Sequence, residues 1–71
     1  MNATVTDPVL FEVLRGVRKE ATRIGAPLAA LRHACRIALR ELDANRTPAV
    51  CVAEASRFMR THTEHNGPAT A

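Results

Sequence analysis

Apolar residues recur at intervals of three and four along three successive segments of this 71-residue chain. That spacing places them on one side of an α-helix, so it predicts three amphipathic helices. Each segment begins at a proline that suits the first turn of a helix. The predicted helices run from Asp7-Pro8 to Gly25, from Ala26-Pro27 to Asn45, and from Thr47-Pro48 to about Thr61–Thr63. Because the connections are short, the pattern predicts an all-α fold, a small antiparallel three-helix bundle.

The apolar stripe of each segment predicts its inward face. The three stripes are Leu10, Val13, Leu14, Val17, Ala21 and Ile24; Leu28, Leu31, Cys35, Leu39 and Leu42; and Cys51, Val52, Ala55, Phe58 and Met59. Gly16 interrupts the first segment at a cost of about 1 kcal/mol relative to alanine. It therefore indicates either a close helix crossing or a locally weak helix.

The domain organisation follows from where these patterns stop. We interpret residues 7–63 as one three-helix domain, preceded by a flexible segment (1–6) and followed by a flexible tail (64–71). Asn66-Gly67-Pro68 breaks the last helical pattern. Hydrophobic residues make up 46% of the chain, but thirteen of them are alanine. The predicted core is thin, and a domain this small is expected to self-associate or to dock on a partner.

Charge adds a preference for acidic partners. The chain has ten Lys and Arg against seven Asp and Glu, a net charge of +3, and a pI near 9.7. Nine of the ten cations are arginine, which binds carboxylates and phosphates in a bidentate manner. The excess of arginine has an alternative explanation that involves no partner. A GC-rich genome of bacterial type encodes many alanines and arginines.

A candidate partner-binding surface lies on the second segment. Arg32, Arg36 and Arg40 recur at steps of four and flank its leucine stripe. Phe11, Ile37 and Val50 are the apolar residues that fall outside the predicted stripes. We expect Arg32, Arg36 and Arg40, together with Phe11 and Ile37, to bind a partner protein.

Catalytic and metal sites have little support in the sequence. Neither Cys35 nor Cys51 has a histidine at a spacing that implies an activated nucleophile, and Ser56 is the only serine. His62 and His65 have metal-ligand spacing but lie where the last predicted helix frays. We therefore expect no enzymatic activity, no cofactor and no metal.

The cysteines also bear on the cellular compartment. In an antiparallel pair of helices, Cys35 and Cys51 would differ in height by roughly 9 Å. A disulfide needs Cα atoms within about 7 Å, so two buried thiols are the better interpretation. The sequence shows neither a signal peptide nor an apolar stretch of about twenty residues. These features predict a cytoplasmic protein without a membrane partner.

One arrangement suggests a different function. The N-terminal Thr4-Val5-Thr6, then Asp7-Pro8, then Glu12-Val13-Leu14…Val17-Arg18-Lys19…Ala21…Gly25 and a second helix resembles the ribbon-helix-helix family of Arc-type DNA-binding repressors, over about Thr4–Asn45. In that family an N-terminal strand pairs with its copy in a dimer and enters the major groove. The resemblance implies that Asn2, Thr4 and Thr6 contact DNA bases.

Two functions therefore stand as alternatives. The first is a small non-enzymatic regulatory or adaptor protein that binds another protein through a helix surface, with a homodimer as one form of that binding. The second is a dimeric ribbon-helix-helix transcription regulator, with nucleic acid as its partner. The sequence leaves the identity of either partner open.

Overall fold

The computed structural model describes the backbone of residues 8–66 and the side chains of residues 8–63. It consists of three α-helices: α1, Pro8–Ile24; α2, Leu28–Asp43; and α3, Pro48–Asn66. All three pairs of helices pack against one another. The predicted all-α three-helix fold is confirmed. The described residues contain no strand, and the predicted N-terminal strand at Thr4–Thr6 lies outside them, as does Asp7.

Each connection contains one residue in the left-handed backbone region. Gly25 has φ 70° and Asn45 has φ 67°. After each, a backbone amide reaches back five residues: Ala26 N–H donates to the Ala21 carbonyl at 2.9 Å, and Arg46 N–H donates to the Glu41 carbonyl at 3.0 Å. This hydrogen bond belongs to the Schellman ending of a helix. The predicted ends of the first two helices are confirmed.

The helix starts differ in how they are capped. Pro27 precedes α2 with extended backbone angles and makes no side-chain capping bond. By contrast, the Thr47 hydroxyl accepts a hydrogen bond from the Val50 amide at 3.3 Å, as an N-cap threonine should. At its other end α3 continues to Asn66, so the predicted end at Thr61–Thr63 is wrong. Glu64 and His65 are compatible with helix, and the pattern stops only at Gly67-Pro68.

Side-chain neighbours give the directions of the helices. Gly16 faces Val52 and Glu20 bonds to Ser56, so α1 and α3 run parallel. Leu10, near the start of α1, shares a hollow with Leu42, near the end of α2. Consecutive helices are therefore antiparallel, and α3 returns alongside α1.

The buried core is built mostly from small side chains. Its members are Val13, Val17 and Ala21 of α1, Ala30, Ala34 and Ala38 of α2, and Cys51, Ala55 and Met59 of α3. Met59 is the largest side chain that is fully buried. Alanines at intervals of four leave room for neighbouring helices to approach closely. The core is as thin as the composition predicted.

The predicted inward face of α2 is only partly right. Leu31, Cys35 and Leu42 pack against the core from its edge, but Leu28 and Leu39 are 63% and 40% exposed. The alanine stripe occupies the centre because it meets both α1 and α3, where bulky side chains would hold the helices apart. The leucine stripe is consequently displaced towards the side of α2 next to α1.

A polar contact joins α1 to α3 beside this core. The Ser56 hydroxyl, only 7% exposed as a residue, donates to Glu20 Oε1 at 3.0 Å. Arg23 Nη2 donates to the same oxygen at 2.7 Å. Hydrogen bonds from Arg23 first, and Ser56 second, lower the pKa of the Glu20 carboxyl. The buried serine is thus satisfied, and it fixes the relative position of the two helices.

Gly16 permits a close crossing of α1 and α3, which is one of the two alternatives that the sequence left open for this residue. A Cβ at this position would lie 2.9 Å from Val52 Cγ2 and 3.4 Å from Cγ1. We expect Gly16→Ala to destabilise the fold by about 1 kcal/mol, because the clash outweighs the gain in helix propensity. Urea unfolding would measure the change. In the Val52→Ala background the same substitution should instead stabilise, and a loss of equal size there would contradict the clash.

Candidate partner-binding surface

A row of apolar side chains lies outside the core, between α1 and α2. We call this surface the α1–α2 groove and define it by Leu10, Phe11 and Leu14 of α1 and Leu31, Cys35, Leu39 and Leu42 of α2. The residues fall on one side of each helix because they recur at intervals of three and four. Leu28 continues the stripe of α2 beyond them. The groove therefore runs along α2 from Leu31 to Leu42 and along the first part of α1.

The groove residues are too exposed to be ordinary core. Phe11 is 71% exposed, Leu28 is 63% exposed and Leu39 is 40% exposed. Leu10, Leu14 and the remaining leucines of α2 are half-buried. Single exposed apolar residues are common on protein surfaces, but a contiguous apolar patch marks a contact site. The arrangement can bury further apolar area if another molecule covers it.

Arginines line both sides of the groove. Arg15 and Arg18 of α1 lie beside Phe11 and Leu14, and the three arginines of α2 border the leucine stripe. Within residues 8–63, none of the five forms an ion pair; the ion pairs are Arg23–Glu20, Arg46–Glu41 and Arg57–Glu54. Asp43, at one end, is the carboxylate that lines the groove. The rims are therefore strongly cationic.

Cys35 contributes an apolar contact to the groove rather than a reactive thiolate. Burial raises the pKa of its thiol, and the positive charge of Arg18 opposes this effect only in part. Burial likewise raises the pKa of the Cys51 thiol inside the core. Both cysteines are free. Cys35 is half-buried and Cys51 is buried, so the prediction of two buried thiols is confirmed for Cys51 and only partly for Cys35.

An aromatic stack joins α2 to α3. The ring of Phe58 lies between His33 and His62, with centroid distances of 4.6 Å and 4.1 Å. His62 Nδ1 also lies 3.2 Å from the Phe58 carbonyl oxygen. Phe58 is half-buried and packs against the edge of the core. Within the part of the chain described, no three metal-binding side chains come together.

The structure brings most of the predicted partner-binding residues together. Phe11 and the three arginines of α2 border the same groove. Ile37 is half-buried and lines none of the hollows that define the groove. The proposed DNA-contacting residues Asn2, Thr4 and Thr6 lie outside the described residues.

Sequence reasoning overlooked the apolar walls of this surface. Leu10, Leu14 and Leu39 were assigned to the core, and Arg15 and Arg18 were not assigned to any site. The signal that could have revealed them is the alanine repeat at positions 30, 34 and 38. A stripe of small residues marks the face of closest helix approach. With the alanines assigned to that face, the leucine stripe of α2 would be predicted to lie nearer the surface.

No protein-family model, no curated protein sequence and no solved structure matches this chain. None of the described helices combines the length and the apolar character that crossing a membrane would require.

Proposed function

We propose that this protein is a small non-enzymatic regulatory or adaptor protein that binds another protein through the α1–α2 groove. The supporting observation is the exposure of Phe11 and Leu39 beside a core made largely of alanine and valine. Covering these side chains gains about 25 cal/mol for each Å² of apolar surface removed from water. Binding of a partner supplies the apolar burial that the small core lacks.

The chemistry of the groove suits a protein partner. Protein interfaces have an apolar centre and a polar rim, and they are enriched in aromatic residues and arginine. Phe11 and the leucines would form the centre, with Arg18 and Arg36 in the rim. DNA binding by a ribbon-helix-helix dimer is the competing proposal, and it would use Asn2, Thr4 and Thr6. A reducing compartment such as the cytoplasm is part of our proposal, supported by the two free thiols.

Site-specific photo-crosslinking in the host cell tests this function. The photoreactive residue p-benzoylphenylalanine would replace Leu39 in the groove or, as the matched control, Val50, which is also partly exposed but lies on α3. We expect a discrete protein adduct from position 39 that position 50 does not give. Combining the probe with Leu14→Ser should abolish the adduct, because Leu14 faces the same groove.

Two results would overturn the proposed function. One is an adduct yield from position 39 no greater than that from position 50. The other is an adduct formed chiefly with nucleic acid, which would favour the repressor. An adduct with a second copy of the chain would keep the groove as an interface and identify the homodimer as its form.

A further inference from the structure

We infer that the α1–α2 groove receives an acidic amphipathic helix of another protein. This inference rests on the proposed function and specifies the chemistry of the partner. Three features of the groove support it: its shape, the sign of the charge on its rims, and the spacing of its arginines.

The shape of the groove matches a helix. Its longer wall follows α2 from Leu31 to Leu42, about 17 Å at 1.5 Å per residue. The antiparallel α1 supplies Leu10, Phe11 and Leu14 opposite it. A helix packs between two others by placing its side-chain ridge into the groove they form. An extended segment would gain no backbone hydrogen bonds here, because the described residues offer no strand edge. An occupant helix of about twelve residues would cover this length.

The charge of the rims selects an acidic occupant. Among the described residues, five arginines border the groove with one carboxylate, Asp43, at one end. A second copy packed face to face through the groove would bring two sets of these arginines together. Like charges opposed across an interface cost several kcal/mol, whereas complementary charges select the partner and speed association. The rims therefore favour a partner of opposite charge over a second copy of this chain.

The spacing of the arginines suggests how the partner is recognised. Arg32, Arg36 and Arg40 follow one another at intervals of four, which places guanidinium groups about 6 Å apart along α2. Glutamates or aspartates at intervals of four on a neighbouring helix repeat at the same distance. Each could accept two parallel hydrogen bonds from one guanidinium. Phe11, the most exposed large apolar side chain of the groove, would insert between apolar residues of the partner.

Designed peptides test the charge preference directly. Three eighteen-residue helical peptides would share one seam of leucines and carry glutamate, glutamine or lysine on both flanks. Fluorescence anisotropy with the full chain should show the glutamate peptide binding at least tenfold more tightly than the glutamine peptide. The lysine peptide should bind most weakly. Added salt should weaken binding of the glutamate peptide, because part of its affinity is electrostatic.

A charge exchange with a matched control makes the test specific. The triple substitution Arg32→Glu, Arg36→Glu and Arg40→Glu should reverse the preference, so that the lysine peptide binds more tightly. The control Lys19→Glu, Arg57→Glu and Arg60→Glu changes net charge by the same amount on residues outside the groove, and it should retain the preference for glutamate. Circular dichroism would check folding. Arg15→Glu with Arg18→Glu gives an independent variant on the other rim.

The possible outcomes separate this inference from the proposed function. Equal binding of the glutamate and lysine peptides, or loss of preference in the control triple variant, overturns the acidic partner. A second result also overturns the acidic partner: no peptide binds, and sedimentation shows a dimer that Leu39→Gln abolishes. The groove would then be an interface between copies of this chain. Failure of every peptide together with no protein adduct at position 39 overturns both. Tighter binding of a DNA duplex than of the glutamate peptide at near-physiological salt would also overturn both.

Discussion

Replacing Met59 by alanine is expected to lower the free energy of unfolding by about 3 kcal/mol. Met59 is completely buried and is the largest such side chain of the described core. Its neighbours in the core are alanines, valines and a cysteine, which are too short to fill the space it would leave. A chain of this size has a total stability of about 5 kcal/mol. Urea unfolding followed by circular dichroism would measure the loss.

Leu39→Ala is the matched control for this substitution. It removes a side chain of similar size that is 40% exposed, and it should cost less than about 1 kcal/mol because much of the leucine is already in water. If Leu39→Ala destabilised the isolated chain as much as Met59→Ala, the leucine would belong to the core. A small effect on stability joined to a loss of partner binding is the result that the groove predicts.

Local signals in the sequence were sufficient for the three helices, for the ends of the first two and for the start of α3. Gly25 and Asn45 are residues that tolerate a positive φ, and both end a helix in that conformation. Thr47 caps α3 through its hydroxyl. These features depend on a few neighbouring residues and on the chemistry of one side chain. For that reason they can be predicted without knowing how the helices pack.

The inward face of α2 depends on packing and was harder to predict. A periodicity argument gives most weight to large apolar residues, so it selected the leucine stripe rather than Ala34 and its neighbours. α2 contacts both other helices, however, and the positions of closest approach require small side chains. The same reasoning selected Val17 and Met59 correctly, since both are apolar and central, but it also assigned Leu10 and Leu14 of α1 to the core.

The candidate site shows a similar division. Phe11 could be selected from the sequence because it is an apolar residue outside the predicted stripe of α1. Arg36 could be selected because it belongs to a regular row of arginines beside the leucine stripe of α2. That they border one groove depends on the antiparallel packing of α1 and α2. Ile37 was selected, like Phe11, as an apolar residue outside the stripe, yet it lines none of the hollows that define the groove.

Ala34→Leu should have an effect close to that of Met59→Ala, through the opposite change in volume. Ala34 is completely buried at the centre of the α2 stripe, where the helices approach one another closely. Three additional carbon atoms cannot be accommodated without moving a helix, and we expect a loss of about 3 kcal/mol. Thermal unfolding would report it as a fall in Tm of more than 10 °C, given about 4–8 °C per kcal/mol for a domain of this size.

Ala29→Leu provides the matched control, because it makes the same substitution at an exposed position of the same helix. Alanine and leucine have nearly equal helix propensity, so Ala29→Leu should change stability by less than about 0.5 kcal/mol. Equal tolerance of leucine at positions 29 and 34 would mean that α2 is not held by its alanine stripe. Its leucines would then be free to turn inward, and the groove between α1 and α2 would close. If leucine destabilises the fold at position 34 and not at position 29, the alanine stripe holds α2 in place. The leucines of α2 then stay at the surface, where a partner can contact them.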